Sequence, residues 1–348
     1  MKIKSMLKTL LGTRLCYALR VLANGIPRQK VCPYFDYDMQ RFYSYSGVVN
    51  RNVREAKLDR VIIFYHIIEK GLTMPNRHLF FGCKAMEDLI RLVDEFEADF
   101  GRDPQVDHAV GVVRAYWELH MQSGYVFEPR DEEYWSKIRY FLQKHPAIPA
   151  AVQPHVTRAE FFANKDAPFP VFAWSRHTSR HYSGKDLSLD RIKQAVDLAR
   201  STPTACNRQH CRVYCLTKKE LIEKFLALQD GNRGFGNSAS KLLVVVADLE
   251  GIPSIREHND IFVCGGMFLM NLCYALFHYE IAHCVLNWSR TPEEDLQMRK
   301  LIRIKPSETV IAVLTCGEAP EEFDVAASPR KVFSSAFMIT EEMSNNEG

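Results

Sequence analysis

Ser175-Arg176-His177-Thr178-Ser179-Arg180-His181-Tyr182, followed one amphipathic helix later by Pro203-Thr204-Ala205-Cys206-Asn207-Arg208-Gln209, is the part of this 348-residue sequence on which its reading turns. The first segment is dense in donors for an anion. Arg176 and Arg180 are four apart, so in a turn or at a helix start both guanidinium forks project from one side and can grip a phosphate bidentately. Thr178 and Ser179 add hydroxyls, and the free N–H groups of a helix N-terminus would add more. The plain alternative is a solvated basic turn. Asn207 and Gln209 present amides that both donate and accept, a chemistry that suits the edge of a flat heteroaromatic ring, although asparagine in loops also serves ordinary turn geometry.

Composition sets the frame. A chain of 348 residues with 47% hydrophobic residues is expected to form two domains. Lys and Arg number 45 against 42 Asp and Glu, a net charge of +3, and no basic stripe stands outside the N-terminus, which argues against nucleic-acid binding. The ten cysteines never form C-x-x-C and mostly sit in apolar runs, so they read as reduced core residues of a cytoplasmic protein. Cys206, Cys211 and Cys215 match no standard ligand spacing, and no metal is expected there. Residues 1–23 form an amphipathic helix by spacing, with Lys2, Lys4, Lys8, Arg14 and Arg20 breaking the apolar runs. It is neither a membrane span nor a signal peptide. Peripheral contact with an anionic membrane and docking on the rest of the protein both stay open.

Residues 50–145 are helical by periodicity, with runs at Val53–Glu69, Cys83–Phe100, Gln105–Met121 and Glu132–Lys144. A proline-rich connector spans 146–170, with a short element near Arg158–Phe162. From 171 to 340, helices alternate with β-rich runs. Ser188 caps a helix over Leu189–Arg200, and strands are expected at Arg212–Leu216, Leu242–Ala247, Ala282–Leu286 and Thr309–Cys316. A nearly all-apolar helix over Ile261–Tyr279 should be buried on most sides. The fold class expected is α+β, a mixed sheet flanked by helices and preceded by an all-α domain, with a disordered tail at 341–348.

The two opening segments together resemble the FMN-dependent nitroreductase family. That family opens with an R-R-S-x-R-x-F-like motif and follows it, after one helix, with P-S-x-x-N-x-Q-P-W. Here the counterparts are residues 176–182 and 203–209, and a closing Ser328-Pro329-Arg330-Lys331-Val332 also resembles the family's layout. The resemblance spans roughly 170–340 and implies a nitroreductase-like mixed sheet. It also implies FMN as cofactor, with NAD(P)H reducing it before a small-molecule acceptor takes its place. By the resemblance Arg176, His177 and Thr178 contact the phosphate and ribityl chain, and Arg180 the phosphate or the ring. Asn207 and Gln209 would address the ring edge, and Arg330 would close on the phosphate. The family is usually a homodimer with the flavin at the subunit interface, so some contacts come from the partner. Departures are His210-Cys211 in place of Pro-Trp, and Ser328 where a basic residue is common. No catalytic residue is named by these motifs. Gly231, Gly234 and Gly236 follow a helix, and so suggest a mobile loop instead of a dinucleotide fingerprint.

In the helical half His66 and Glu69 share one face at a spacing used by carboxylate-bridged metals, but no second copy appears, and a helix end capped by Gly71 is the plainer reading. Glu69-Lys70-Gly71-Leu72-Thr73-Met74-Pro75, with Arg77 and Phe81-Gly82, resembles an element of nitroreductase-like proteins that carry a helical extension. Some of these are associated with surface-polysaccharide gene clusters. Two functions follow: an FMN-dependent oxidoreductase, or a flavin- or phosphate-ligand-binding accessory in polysaccharide assembly whose redox activity is lost.

Overall fold

The computed structural model describes residues 28–340; the expected helix over 1–23 and the tail at 341–348 lie outside them. The chain divides into two units, one made of residues up to Val53 with Ile252–Asn259, the other of Arg54–Gly251 with Asp260 onward. The described part of the first holds helix α1 (Arg28–Tyr45), none of whose residues is buried. Within it the His258 ring bonds through Nε2 to Asp38 Oδ2 at 2.7 Å and meets Phe35 edge-on at 5.1 Å. The sequence carries Pro33 and no apolar stripe here, which is why no helix was expected.

The second unit begins with helices α2 (Arg54–Leu72), α3 (Cys83–Phe100), α4 (Pro104–Gln122) and α5 (Glu132–Lys144). Their three-and-four spacing puts Val61, Ile68, Leu89, Val93, Phe96, Val110, Tyr116 and Trp135 into one core. Each such side chain contributes roughly 1.5–3 kcal/mol of burial. Asp103 starts α4 by accepting the Gln105 N–H at 2.8 Å, with Pro104 in the first turn. Gly71 caps nothing: it lies inside α2, where any Cβ would collide with the Phe81 ring.

The proline-rich stretch is more ordered than an extended connector. Strand β1 (His155–Thr157) pairs antiparallel with β6 (Glu322–Asp324), and Thr157 and Glu160 form a capping box that opens α6 (Arg158–Phe161). Helix α7 (Phe169–Ser175) follows. The main sheet comprises β2 (Cys211–Leu216), β3 (Lys241–Asp248), β4 (Ala282–Asn287) and β5 (Glu308–Gly317), in the order β2-β3-β5-β4. All eight residues of β3 are buried, because helices cover both faces. Leu243 and Val245 face α8 (Leu189–Ala199) and α10 (Asp260–His278); Leu242, Val244 and Val246 face α9 (Lys219–Leu226) and α11 (Pro292–Leu301).

This is the expected α+β fold, helices first. The sheet itself is antiparallel at each ladder, where a mixed one was anticipated. The reason is topological. The crossover β3-α10-β4 is of the parallel kind, but it skips one position, and β5 fills that position running the other way. The stretch Ile255–His278 is long and apolar enough to cross a membrane by length and composition, yet half of its apolar window is buried within the protein. Phe268, Leu272, Cys273 and Leu276 of α10 lie against the sheet, and Gly265 allows the approach: a Cβ there would sit 2.6 Å from Ile311 Cγ1.

Candidate functional site

Residues 176–182 do not begin a helix. Arg176 ends α7 with extended backbone, φ −71 and ψ 114, and the segment runs on without regular structure. Extended chain turns alternate side chains to opposite sides. Arg176, Thr178 and Arg180 line one cavity and His177 departs from the alternation to line it too, while Ser179 and His181 turn into the protein. The Ser179 N–H donates to His283 O at 3.0 Å, His181 Nε2 donates to Thr73 O at 2.6 Å, and the Tyr182 hydroxyl lies 2.8 Å from Thr315 Oγ1. These buried bonds fix the register of the arginines. The spacing that matters is thus two, not the helical four.

The cavity has a volume of about 760 Å³. His177 joins the lining, Trp174 comes from α7, Tyr274 from α10, and Ser328, Pro329 and Arg330 from the C-terminal segment. Tyr65 and His66 arrive from α2, so the helical half forms part of the wall. Neither Arg176 nor Arg330 has an ion-pair partner among the described residues. Positive charge is dense enough that burial and the Arg180 guanidinium together hold the Lys70 ammonium below its ordinary range.

The carboxylate next to this wall is already occupied. Glu69 is fully buried; His108 Nε2 lies 2.7 Å from Oε1 and His66 Nδ1 lies 3.2 Å from Oε2. Burial opposes its ionisation, but the hydrogen bonds from His108 and then His66 outweigh that and bring its pKa down to about 2. The Ser328 N–H reaches Oε1 at 3.4 Å, and Ser328 Oγ lies 3.3 Å from His66 Nδ1. On the far side of the imidazole, Nε2 faces Arg180 Nη2 at 3.4 Å. Tyr65 donates to Gln105 Oε1 at 2.6 Å, and Gln105 Nε2 donates to Arg330 O at 3.1 Å. Lys331 reaches Asp59 at 2.8 Å. The C-terminal segment is in this way tied to α2 and α4 at several points.

Of the residues singled out from sequence, Arg176, His177, Thr178, Arg180 and Arg330 meet at this cavity. Asn207 and Gln209 are not among its walls. Both are exposed, both have positive φ (55 and 50), and Gln209 Nε2 donates to Asn207 Oδ1 at 2.9 Å, so within one chain the amides satisfy each other in a turn. His108 and Ser328 were missed as partners of Glu69. Only the H-x-x-E pair hinted at them, and that hint suggested a metal. In the glycine loop the Gly231 N–H donates to Gln229 Oε1 at 2.7 Å, and Asn232 Nδ2 donates to Leu226 O at the end of α9 at 2.8 Å.

No curated protein matches the chain. Among solved structures it is similar to an FMN-dependent nitroreductase from Clostridium difficile (15% identity over 51% of this chain and 98% of the other, TM-score 0.38). It is also similar to NfrA2 of B. megaterium (15%, 50% and 74%, TM-score 0.42). A nitroreductase family protein from Clostridium novyi gives 11% identity over 44% and 86%, with TM-score 0.40. The family scan matches the model described as "Nitroreductase family" over residues 173–230, an interval that begins in α7, contains both opening motifs and ends just after α9. Over residues 173–230 the chain thus matches the nitroreductase family, and that stretch supplies one wall of the cavity.

Proposed function

We propose that the cavity holds FMN and that the protein is an FMN-dependent oxidoreductase passing electrons from NAD(P)H to a small-molecule acceptor in ping-pong fashion. The observation that carries this reading is the pair of guanidiniums, Arg176 and Arg330, that converge on one cavity without a carboxylate partner among the described residues. Arg176 is half-buried and Arg330 exposed at the rim, and two cations without a carboxylate at one cavity favour an anion that supplies the missing charge. A phosphomonoester fits both forks, with Thr178 and His177 beside them. The volume suits a ligand of cofactor size. The match of residues 173–230 to the nitroreductase family supports flavin as that ligand.

When bound, FMN would accept a hydride equivalent and pass it on. The protein's own part is to hold the phosphate with Arg176 and Arg330, and to place Arg180 where a cation stabilises negative charge on the reduced ring. Asn207 and Gln209, turned away from their own cavity, fit a homodimer in which each subunit lends its turn to the other's flavin. We place the protein in the cytoplasm, with residues 1–23 either in peripheral membrane contact or docked on the rest of the protein. The second reading, a ligand-binding accessory of polysaccharide assembly, draws on the helical wall: α2 reaches into the cavity and would restrict access to it. Purified protein separates the two. A yellow sample whose flavin band bleaches under NADH or NADPH supports the oxidoreductase. Protein that takes up FMN but is not reduced by either donor supports the accessory, and protein that takes up no FMN overturns the cofactor assignment.

A further inference from the structure

The Glu69 carboxylate, ionised across the ordinary pH range, can only accept hydrogen bonds, so the His66 nitrogen facing it, Nδ1, carries the ring's hydrogen in the neutral imidazole. Nε2 then presents a lone pair toward the cavity. Among the described residues its hydrogen-bonding neighbour is Arg180 Nη2 at 3.4 Å, the outer limit of a hydrogen bond. His108 Nε2, at 2.7 Å from the other carboxylate oxygen, and the Ser328 N–H hold Glu69 and through it the imidazole plane. An acceptor and a donor therefore stand side by side on the cavity wall, contributed by two halves of the chain.

Arg176 and Arg330 are the guanidiniums without an ion-pair partner among the described residues, and Arg180 and His66 are a further polar pair lining the same cavity. Resting on the assignment of FMN to this cavity, we propose that His66 Nε2 and Arg180 read the imide edge of the flavin's pyrimidine ring. The lone pair of Nε2 accepts the ring N3–H, and the Arg180 guanidinium donates to the carbonyl beside it. The helical half thus supplies a cofactor-binding residue from within the same chain. Glu69 and His108 are positioning residues for it.

Two measurements test this by fluorescence quenching of free flavin. Wild-type protein should bind FMN roughly tenfold more tightly than N3-methyl-FMN, which lacks the N–H and leaves the acceptor unmatched. His66→Asn keeps a group near Nδ1 for Glu69 but removes the one facing the cavity, so it should lose this preference. His66→Gln, whose amide extends to the Nε2 position, should retain most of it. A purely structural role through Glu69 predicts the opposite order. Equal affinity of the wild type for both flavins overturns the proposal without any variant, as does an undiminished preference in His66→Asn. Failure of wild-type protein to bind either flavin, at concentrations that saturate known flavoproteins, overturns the assignment of the cavity itself, and this inference with it.

Discussion

Glu69 gives the most quantitative test of how the cavity wall is held. Its carboxyl is fully buried and its pKa is about 2, against an ordinary 4.5, because the hydrogen bonds from His108 and His66 outweigh the cost of burial. A depression of this size corresponds to about 3 kcal/mol of native-state stability, since each pKa unit is worth about 1.4 kcal/mol. The sign follows from the direction of the shift. A carboxyl with a depressed folded-state pKa contributes fully above its unfolded value and loses that contribution as the pH falls toward the folded one. By pH 3 about 2 of the 3 kcal/mol should be gone. The perturbation is Glu69→Gln, which keeps the shape and removes the charge. Urea unfolding of both proteins, followed by tryptophan fluorescence from Trp135 and its neighbours, should show the variant about 3 kcal/mol less stable at pH 7. That gap should shrink to about 1 kcal/mol at pH 3. Other carboxyls titrate in both proteins and cancel in the difference. A gap that stays constant from pH 7 to pH 3 would refute the reasoning, because it would mean that the destabilisation comes from packing and not from the charge.

Arg176→Ala should weaken FMN retention by ten- to a hundredfold, the worth of a charge-assisted contact, measured by flavin release on dialysis; unchanged occupancy would remove Arg176 from the phosphate site. If Asn207 serves the partner's cavity, co-refolding Arg176→Ala with Asn207→Ala should restore about half of the flavin capacity of the mixed dimers, since one of the two cavities is then intact. No restoration over either parent would place Asn207 elsewhere. Gly265→Val should cost about 1–3 kcal/mol by forcing α10 off Ile311, read as a lowered melting temperature; a neutral result would mean that the helix shifts freely on the sheet.

The sequence exposed the scaffold wherever periodicity was strong. The runs at Cys83–Phe100 and Glu132–Lys144 coincide with α3 and α5, and the Leu-Leu-Val-Val-Val-Ala run lies within the central strand. Strand order was not legible, because the neighbour of β3 is decided by β5 inserting after a long helical crossover. The short β1–β6 ladder was invisible for a similar reason, since three-residue strands gain their identity only from a partner far along the chain. At the site, residue types were informative and geometry was not. Arginines and a threonine at 176, 178 and 180 come together at one cavity, but helical spacing was the wrong template for an extended segment pinned by Ser179 and His181. The Glu69 cluster could not be assembled from sequence, since its members are 66, 69, 108 and 328 and only the first two are neighbours.

That last separation bears on how the molecule is made. Ser328, Arg330 and Lys331 complete a cavity wall and bind helices begun more than two hundred residues earlier. During synthesis the four helices and then the sheet can acquire their cores in order, but the cavity has no closing side until residues 328–331 have left the ribosome. Contacts of such long range are formed late and slowly. A nascent chain that stops short of residue 328 should therefore be folded in its cores while one wall of the cavity is still missing.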